Sequence, residues 1–372
     1  MAAAWPYLLG ALGGGFVVAL TWWCTEARQP DPPSQLNPRK ATPQAYSWSD
    51  LPEPAFPIPP YARFLAGVQI VLDPGHVGAR DRGGTWKRGP TGLREADVNL
   101  RVAQFLRDFL DAAGARVVLT RETDTPRDLP DEDDLRERAA IANGVPADLL
   151  LSIHHNGDGK PKPNYTTVFY HGPPGHSPAS LAAGRYLVTG LHDALHLPSQ
   201  LDCTLMSDYA VFPNKGFAVL REAEVPALLS EASFHSNPEE ETRLRDPVYN
   251  RREAYGLFLG LARWAEAGLP RVALAQAPNG ALSHGSTLLI GLDDGLSSRG
   301  GWGAELNRIL PESVVAKLDG QELRHSLDLA KRQLRVTLPS GLRAGRRTLW
   351  VDFENIYGQH VLHPEIGVEF GK

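Results

Sequence analysis

Between residues 66 and 269 the sequence alternates short apolar runs with amphipathic stripes, and few folds accommodate that order. The apolar runs predict strands at residues 68–72, 115–120, 149–154, 167–170, 218–220 and 227–231. Apolar residues at helical spacing predict helices at 98–113, 135–143, 180–195 and 249–267. Because a parallel neighbour needs a long crossover connection, this order predicts an α/β fold with a mixed, mostly parallel sheet flanked by helices.

The region before residue 66 has a different composition. Residues 5–24 carry no charged side chain and are about long enough to cross a membrane as a helix. We therefore expect residues 1–27 to be a membrane anchor or, alternatively, a signal peptide. Ten of the 31 prolines lie in residues 28–60, which predicts an extended linker over residues 28–64 and a folded domain over 65–269.

The pattern changes again after residue 270, where short β-prone runs are separated by turn residues. Leu288, Ile290 and Leu292 alternate with other residues, as half-buried strands do. Residues 270–372 are therefore predicted to form a small all-β sandwich, which resembles immunoglobulin-like accessory modules. The fold alone leaves its role open among wall binding, partner binding and spacing.

The overall charge limits the classes of molecule that the chain is expected to bind. The net charge is -5 and the isoelectric point is near 6.2, so the chain lacks the basic surplus that nucleic-acid recognition usually needs. We expect no nucleic-acid partner. Cys24 and Cys203 are the only cysteines in the sequence, too few for a disulfide framework. The cysteines therefore do not indicate the cellular compartment.

Three residues next to predicted elements are candidate metal ligands. His76 follows the first strand within DPGH, Glu95 stands before the first helix, and His154 ends the third strand. Polar residues at the ends of such strands meet in a crevice at one edge of the sheet. Two imidazoles and a carboxylate are a ligand set of hydrolytic zinc sites, which keep one position open for water. The sequence therefore predicts a Zn²⁺ centre.

A further carboxylate ends the strand at 227–231. Glu231 could accept a proton from water and return it to a departing nitrogen, whereas its rivals Glu222 and Glu224 lie in a polar loop. A second ambiguity concerns His155, which competes with His154 as a ligand. Since neighbours on a strand point to opposite faces, only one of the two should face the metal.

Six motifs occur in a fixed order along the first domain. They are DPGHVG from residue 73, EADVNL from 95, LTR from 119, RAAIAN from 138, SIHHN from 152 and EASFHSN from 231. Together they resemble the zinc-dependent N-acetylmuramoyl-L-alanine amidases of the bacterial cell wall, the type 3 amidase family, over most of residues 68–265. Val77 departs from the family, which commonly has glycine at that position.

The resemblance implies that His76, Glu95 and His154 bind Zn²⁺ and that Glu231 is the catalytic carboxylate. It implies hydrolysis of the amide between the lactyl group of N-acetylmuramic acid and the L-alanine of peptidoglycan stem peptides. The enzyme would act in the periplasm or cell envelope, attached to the membrane by its N-terminal segment or secreted.

We also expect Asn156 and Arg221 to contact the substrate. The alternative functions are a zinc peptidase that cuts within the stem peptide and a non-catalytic wall-binding regulator. An activator protein, or a covering segment at residues 198–213, could regulate the site, and the sequence leaves both open.

Overall fold

The computed structural model describes residues 56–78, 81, 87–197, 204–275, 282, 285–299, 306–340 and 342–371. The predicted N-terminal anchor and most of the linker lie outside these residues and stay predictions. Of the helices within the described ranges, none has the length and apolar content to span a bilayer. The chain already packs on the first domain at Phe56 and through the short 3-10 helix Pro60–Leu65, ahead of the predicted boundary.

A six-stranded sheet forms the centre of the first domain, called the α/β domain below. Its strands are β1 (Gln69–Pro74), β2 (Arg116–Leu119), β3 (Leu149–Asn156), β4 (Thr167–Tyr170), β5 (Leu205–Ser207) and β6 (Ala227–Phe234). Their order is β2-β1-β3-β6-β4-β5. β1, β2, β3 and β6 are parallel, β4 is antiparallel to β6, and β5 is parallel to β4. The predicted mixed, mostly parallel sheet is confirmed.

Helices cover both faces of this sheet. They are α1 (Glu95–Ala112), α2 (Asp131–Gly144), α3 (Pro178–Leu195), α4 (Ala218–Arg221), α5 (Pro238–Leu244) and α6 (Pro247–Glu266). On one face α1, α3 and α6 bury a large apolar core that includes Leu106, Leu187 and Phe258. On the other face α2 and α4 bury a smaller core around Val71 and Leu150. The sheet is therefore buried on both sides, as a parallel sheet requires.

One predicted strand is a helix. The apolar run at residues 218–220, which predicts a strand, lies in α4. Gly216, with a φ of 63°, redirects the chain just before this helix, and both Val219 and Leu220 then pack on the sheet. The prediction is wrong because a run of three apolar residues cannot distinguish a period of 2 from a period of 3.6. β5 and α5 were not predicted at all.

The carboxyl ends of β1, β3 and β6 lie at the same edge of the sheet. β1 pairs with β3 up to Pro74 and Ile153, and β3 pairs with β6 so that His154 lies opposite Glu231. The register of β3 against β6 shifts between His154 and Asn156. Bulges of this kind re-aim side chains and are common beside active sites. We call this edge the carboxyl edge and its opposite the amino edge.

The second domain is a β-sandwich of two four-stranded antiparallel sheets. Its strands are β7 (Arg271–Leu274), β8 (Thr287–Asp293), β9 (Val315–Leu318), β10 (Gln321–Glu322), β11 (His325–Asp328), β12 (Gln333–Thr337), β13 (Gly345–Asp352) and β14 (Glu365–Phe370). The strand orders are β10-β9-β13-β14 and β11-β12-β8-β7. Alternate residues such as Leu288, Ile290, Leu349 and Val351 fill the space between the sheets. The predicted small all-β sandwich is confirmed.

The sandwich docks at the amino edge of the α/β domain. Asp148, immediately before β3, accepts a hydrogen bond of 2.7 Å from Arg271. Asn355, fully buried in a loop of the sandwich, donates to the carbonyls of Ala267 at 2.9 Å and Asp294 at 3.0 Å. The helix Pro60–Leu65 leads into the start of β1 at this same edge. Both the entering chain and the second domain thus lie away from the ligand-bearing strand ends.

Candidate metal centre

The three side chains predicted as metal ligands converge at the carboxyl edge. His76 follows β1, Glu95 is the first residue of α1, and His154 lies near the end of β3. Glu95 Oε2 is 2.8 Å from His76 Nε2, and Glu95 Oε1 is 3.2 Å from His154 Nδ1. One ligand atom from each residue can be chosen so that all lie within 4.8 Å of one another. Gly75 permits this approach, since a Cβ there would lie 2.2 Å from the His154 ring.

The turn that carries His76 has a strained backbone held by two buried arginines. His76 and Val77 have positive φ values of 66° and 61°, a region that β-branched residues such as valine rarely adopt. Arg138 donates to the carbonyl of His76 at 2.6 Å, and Arg121 donates to the carbonyl of Gly75 at 2.9 Å. These bonds fix a left-handed turn even though position 77 is not glycine.

Asp73 anchors one of these arginines. Its carboxylate accepts hydrogen bonds from Thr120 Oγ1 at 2.6 Å, Ser152 Oγ at 2.7 Å and Arg138 Nη1 at 3.2 Å. Burial alone would raise the pKa of Asp73, but the charge of Arg138 and the two hydroxyl donors bring it below its ordinary value. Asp73 thus acts on the turn through Arg138 and does not touch a ligand ring.

The loop before Glu95 is fastened to the rest of the domain. The carboxylate of Glu241 on α5 accepts hydrogen bonds from the backbone N–H groups of Thr91 at 2.8 Å and Leu93 at 2.9 Å. The backbone N–H of Glu95 donates to the carbonyl of Lys87 at 3.0 Å. The first residue of α1 is therefore positioned from both sides.

Glu95 itself is buried and ionised. Its Oε1 accepts from the backbone N–H of His155 at 3.0 Å and from Asn99 Nδ2 at 3.3 Å. Burial would raise the pKa of this carboxyl group, but the adjacent imidazoles of His76 and His154 outweigh burial and hold the pKa well below its ordinary value. A carboxylate that keeps its charge is what a metal ligand requires.

Glu231 faces the same site from the neighbouring strand. Its Oε2 is buried and accepts no hydrogen bond from any residue of the described ranges. Burial, and then the nearby charge of Glu95, raise the pKa of Glu231 well above its ordinary value. A carboxyl group with a raised pKa and an unengaged oxygen is suited to exchanging protons near neutral pH.

These four side chains line one cavity of about 540 Å³. The cavity also has an apolar wall, whose residues include Phe169, Val211, Phe212, Phe217, Val219 and Leu229. Val211 and Phe212 belong to the segment 198–213, whose residues 198–203 lie outside the described ranges. The described part of that segment forms a side of the cavity, and its covering role stays a prediction.

The structure separates the two predicted substrate contacts. Asn156 lines the cavity, and its Oδ1 accepts a hydrogen bond of 2.9 Å from the N–H of Gly157. Arg221 is not one of the residues that line this cavity, and its guanidinium donates to Glu222 at 3.1 Å and to the carbonyl of Lys215 at 3.0 Å. Both roles stay predictions, and the geometry favours Asn156.

The ambiguity between the adjacent histidines is resolved by their directions. The ring of His154 points toward Glu95 and His76, whereas the ring of His155 points the other way, to Asn99 at 2.8 Å and to Glu253 at 2.9 Å. The alternation of side chains along β3 therefore brings only His154 to the predicted ligand set.

His235 is a residue beside the site that the sequence did not single out. Its Nε2 lies 3.5 Å from Glu95 Oε2, and both ring nitrogens are buried without a hydrogen-bond partner in the described part of the chain. Period-2 alternation from Glu231 would have placed it on the same side of the chain. The register shift of β3 and the turn after β6 interrupt this alternation, so the sequence pattern alone does not place His235 at the site.

The donor set fits a zinc ion. Two imidazoles and one carboxylate, brought within 4.8 Å of one another in a cavity, match the three protein ligands of hydrolytic zinc sites. Glu95 is charged and is held in place through its other hydrogen bonds, as a ligand carboxylate usually is.

The sequence is similar to those of known proteins. The family model for N-acetylmuramoyl-L-alanine amidase matches residues 70–263. The germination-specific N-acetylmuramoyl-L-alanine amidase of Bacillus subtilis (strain 168) is 32% identical over 222 residues, covering 57% of this chain and 86% of that protein. The N-acetylmuramoyl-L-alanine amidase LytC of the same organism is 29% identical over 196 residues, covering 53% of this chain and 35% of that protein.

A solved structure is also similar. The catalytic domain of CwlV, an N-acetylmuramoyl-L-alanine amidase from Bacillus (Paenibacillus) polymyxa var. colistinus, is 28% identical with a TM-score of 0.43, and the match covers 52% of this chain and 96% of that one. The family match spans just over half of the chain and includes all four site residues, which confirms the resemblance drawn from six motifs. The chain therefore belongs to the N-acetylmuramoyl-L-alanine amidase family, and its α/β domain is an amidase domain.

Proposed function

We propose that this protein is a zinc-dependent N-acetylmuramoyl-L-alanine amidase that cleaves peptidoglycan, with His76, Glu95 and His154 as metal ligands and Glu231 as the catalytic carboxylate. The observation that carries the proposal is the meeting of these four side chains in one cavity. Ligand atoms of three of them lie within 4.8 Å of one another, and Oε2 of the fourth has no hydrogen-bond partner among the described residues. The family assignment supports the bond: the amide between the lactyl group of N-acetylmuramic acid and L-alanine.

The residues have separate tasks in this reaction. When bound, zinc polarises a carbonyl and activates water at neutral pH. Glu231 would take the proton of the attacking water on Oε2 and then give it to the departing nitrogen, since an amine leaves poorly without a proton. Its raised pKa suits both halves of this exchange. Glu95, with a lowered pKa, would stay ionised and would not compete for that proton.

The cavity also has features that suit the substrate. Asn156 offers an amide beside the metal site, where it could bind a peptide carbonyl or a sugar hydroxyl. The apolar wall offers a surface for methyl groups that flank the scissile amide. We propose Asn156 as a substrate contact, and we retain Arg221 only as a residue that could meet a stem peptide outside the cavity.

The proposed substrate fixes where the protein acts. Peptidoglycan lies outside the cytoplasm, so we propose an extracytoplasmic location. Residues 5–24 would serve as an anchor or signal for that location, and the proline-rich linker would hold the amidase domain away from the membrane. Sequencing the amino terminus of protein from the membrane and soluble fractions distinguishes the anchor from the signal.

The activity is tested by digesting purified peptidoglycan and identifying the products by mass spectrometry. Release of intact stem peptides with a free L-alanine amino group supports the proposal. Peptides cut between stem amino acids would indicate a zinc peptidase and overturn the assigned bond. The absence of any cleavage by metal-loaded protein, with the germination-specific amidase of Bacillus subtilis as a positive control, would contradict catalysis itself.

The metal is tested separately. Treatment with a chelator should abolish cleavage, and added Zn²⁺ should restore it, whereas added Mg²⁺ should not because imidazole ligands suit zinc far better. The alanine variants of His76 and His154 should retain less than one zinc per chain after dialysis. Full zinc occupancy in both variants would show that another ligand set holds the metal.

A further inference from the structure

A row of buried polar side chains begins at Glu95 and runs into the interior of the domain. Asn99 lies one turn after Glu95 on α1, His155 lies on β3, and Glu253 lies on α6. Asn99 Nδ2 is 3.3 Å from Glu95 Oε1, His155 Nδ1 is 2.8 Å from Asn99 Oδ1, and His155 Nε2 is 2.9 Å from Glu253 Oε2. Asn99 and Glu253 are fully buried, and His155 is 1% exposed. The row therefore links three elements to one ligand carboxylate.

The hydrogen positions in this row follow from chemistry. Asn99 Nδ2 also lies 3.3 Å from the carbonyl of Gly75, which can only accept, so this end of the amide is the donor. The amide oxygen must then face His155 Nδ1, which therefore carries a proton. The remaining nitrogen, Nε2, faces Glu253, and one proton lies between them whichever of the two groups holds it. Each member thus has one orientation only.

The row has a consequence for Glu95. If His155 did not donate to the Asn99 oxygen, the amide could turn over and bring that oxygen toward the carboxylate of Glu95, where two acceptors would repel each other. His155 also donates its own backbone N–H to Glu95 Oε1 at 3.0 Å. Its ring is held by Glu253, so Glu253 orients the Asn99 donor through one intermediate residue, His155.

Stability alone does not explain such a row. A buried polar set of this kind is often no more stable than apolar side chains of the same volume, because desolvation offsets the attraction. Glu253 Oε1 even lacks a hydrogen-bond partner among the described residues.

We propose that Asn99, His155 and Glu253 are positioning residues that hold the Glu95 carboxylate as a metal ligand, and that they set the metal affinity of the site. This proposal rests on the metal site of the proposed function but not on the bond that is cleaved. Partners of this kind behind a metal ligand typically change metal affinity by about 10- to 100-fold when they are removed.

The test measures zinc affinity of the full chain by competition with a chelator of known affinity. Glu253→Met keeps a similar volume and removes the hydrogen-bond partner of His155 Nε2, and His155→Leu removes both ring contacts. We expect each to weaken zinc binding by about 10- to 100-fold. The double variant should lose less than the product of the two single losses, since both residues act on Glu95 through the same row.

The matched control is Glu240→Met. Glu240 is also fully buried, and its carboxylate accepts from Tyr249 at 2.5 Å, Asn164 at 2.9 Å and Arg243 at 2.8 Å, with no bond to Glu95. We expect this variant to lose stability and to keep the zinc affinity of the unaltered protein. Equal weakening in Glu240→Met and Glu253→Met would overturn the proposal, because it would show a general effect of a disturbed core.

A second readout does not depend on activity. Co²⁺ in place of zinc gives a visible spectrum that responds to the geometry of its ligands, and Glu253→Met should shift that spectrum while circular dichroism shows an unchanged fold. Unchanged affinity and an unchanged cobalt spectrum in Glu253→Met would contradict the proposal. If His155→Leu fails to fold, Glu253→Met still decides. Failure of peptidoglycan cleavage would leave these metal measurements unaffected, so the two proposals can fail independently.

Discussion

The two edges of the central sheet belong to the same strands but are built in opposite ways. At the carboxyl edge, Glu231 and His235 have buried polar atoms without partners among the described residues, and His76 has a left-handed backbone. At the amino edge, Asp148 of the α/β domain accepts a hydrogen bond from Arg271 of the β-sandwich, and Asn355 of the sandwich donates to the carbonyl of Ala267. Strain and unpaired groups cost stability and persist where function needs them. The carboxyl edge therefore carries the candidate catalytic site, and the amino edge carries the contacts that join the two domains.

The largest effect should follow from Glu231→Gln. Loss of a group that transfers protons in the transition state lowers the rate by about 100- to 10,000-fold, whereas the fold should be unaffected because Oε2 has no partner to lose. Cleavage of purified peptidoglycan and thermal unfolding measure the two properties. Glu222→Gln, a carboxylate in the nearby loop, is the control and should retain activity. A fully active Glu231→Gln protein would remove this residue from the mechanism.

Arg138→Met tests the contrast between the edges, because Arg138 lies at the carboxyl edge and yet should contribute strongly to stability. Its guanidinium supports the turn at His76 and pairs with buried carboxylates. The change leaves Asp73 buried without its cation and Asp134 with Arg127 as its remaining ion-pair partner, and it should cost about 3–5 kcal/mol in the free energy of unfolding. Denaturant unfolding measures this cost. Arg136→Met, on the exposed side of the same helix, should change it by less than about 1 kcal/mol. Similar losses in both variants would show that burial of the pair does not matter.

Asn355→Ala sharpens the contrast at the amino edge. It removes two buried hydrogen bonds to the carbonyls of Ala267 and Asp294 and should lower the free energy of unfolding by about 1–3 kcal/mol. Asn307→Ala, at an exposed position in the same domain, should change it by less than about 0.5 kcal/mol. Both variants should keep kcat/KM on peptidoglycan. A loss of kcat/KM in Asn355→Ala with unchanged stability would mean that the sandwich takes part in catalysis.

The smallest effect concerns the pH dependence of stability in metal-free protein. The pKa of Glu231 is raised in the fold, so this group contributes stability at pH values below its unfolded pKa, near 4.3, and loses it as pH rises through the folded pKa. Glu231→Gln should remove this loss. The free energy of unfolding of the unaltered protein, relative to Glu231→Gln, should therefore fall between acid and neutral pH. A relative stability that rises with pH would contradict the sign of this shift.

The three proposed ligands could be placed from the sequence because each adjoins a strand or helix with a clear apolar pattern. His154 ends a strand of continuous apolar residues, and Glu95 begins a helix with a clear apolar stripe, so both positions follow from local pattern. The parallel order of the strands then brings them to one edge. Alternation along β3 also predicted that the two adjacent histidines diverge, and their ring contacts confirm it.

The remaining features depend on contacts between distant parts of the chain. Glu253 meets His155 across 98 residues of sequence, and Asn355 meets Ala267 across 88, so no local period could pair them. The helix at residues 218–221 was missed for the opposite reason, since it is too short to show a period. Local sequence pattern therefore predicts the longer elements and the ends of elements that carry the proposed ligands. Tertiary packing determines which buried groups support those ligands.

The position of the β-sandwich has a consequence for how proteins of this architecture can change over time. Its contacts with the amidase domain, and the entry of the chain through Pro60–Leu65, both lie at the far side of the sheet from the cavity. Replacement of the β-sandwich or of the chain before Pro60 would change where the enzyme is attached and how far its cavity lies from that point. It would not change the surface that binds the substrate. Changes in the location of the enzyme and changes in its catalysis can therefore be selected independently in this chain.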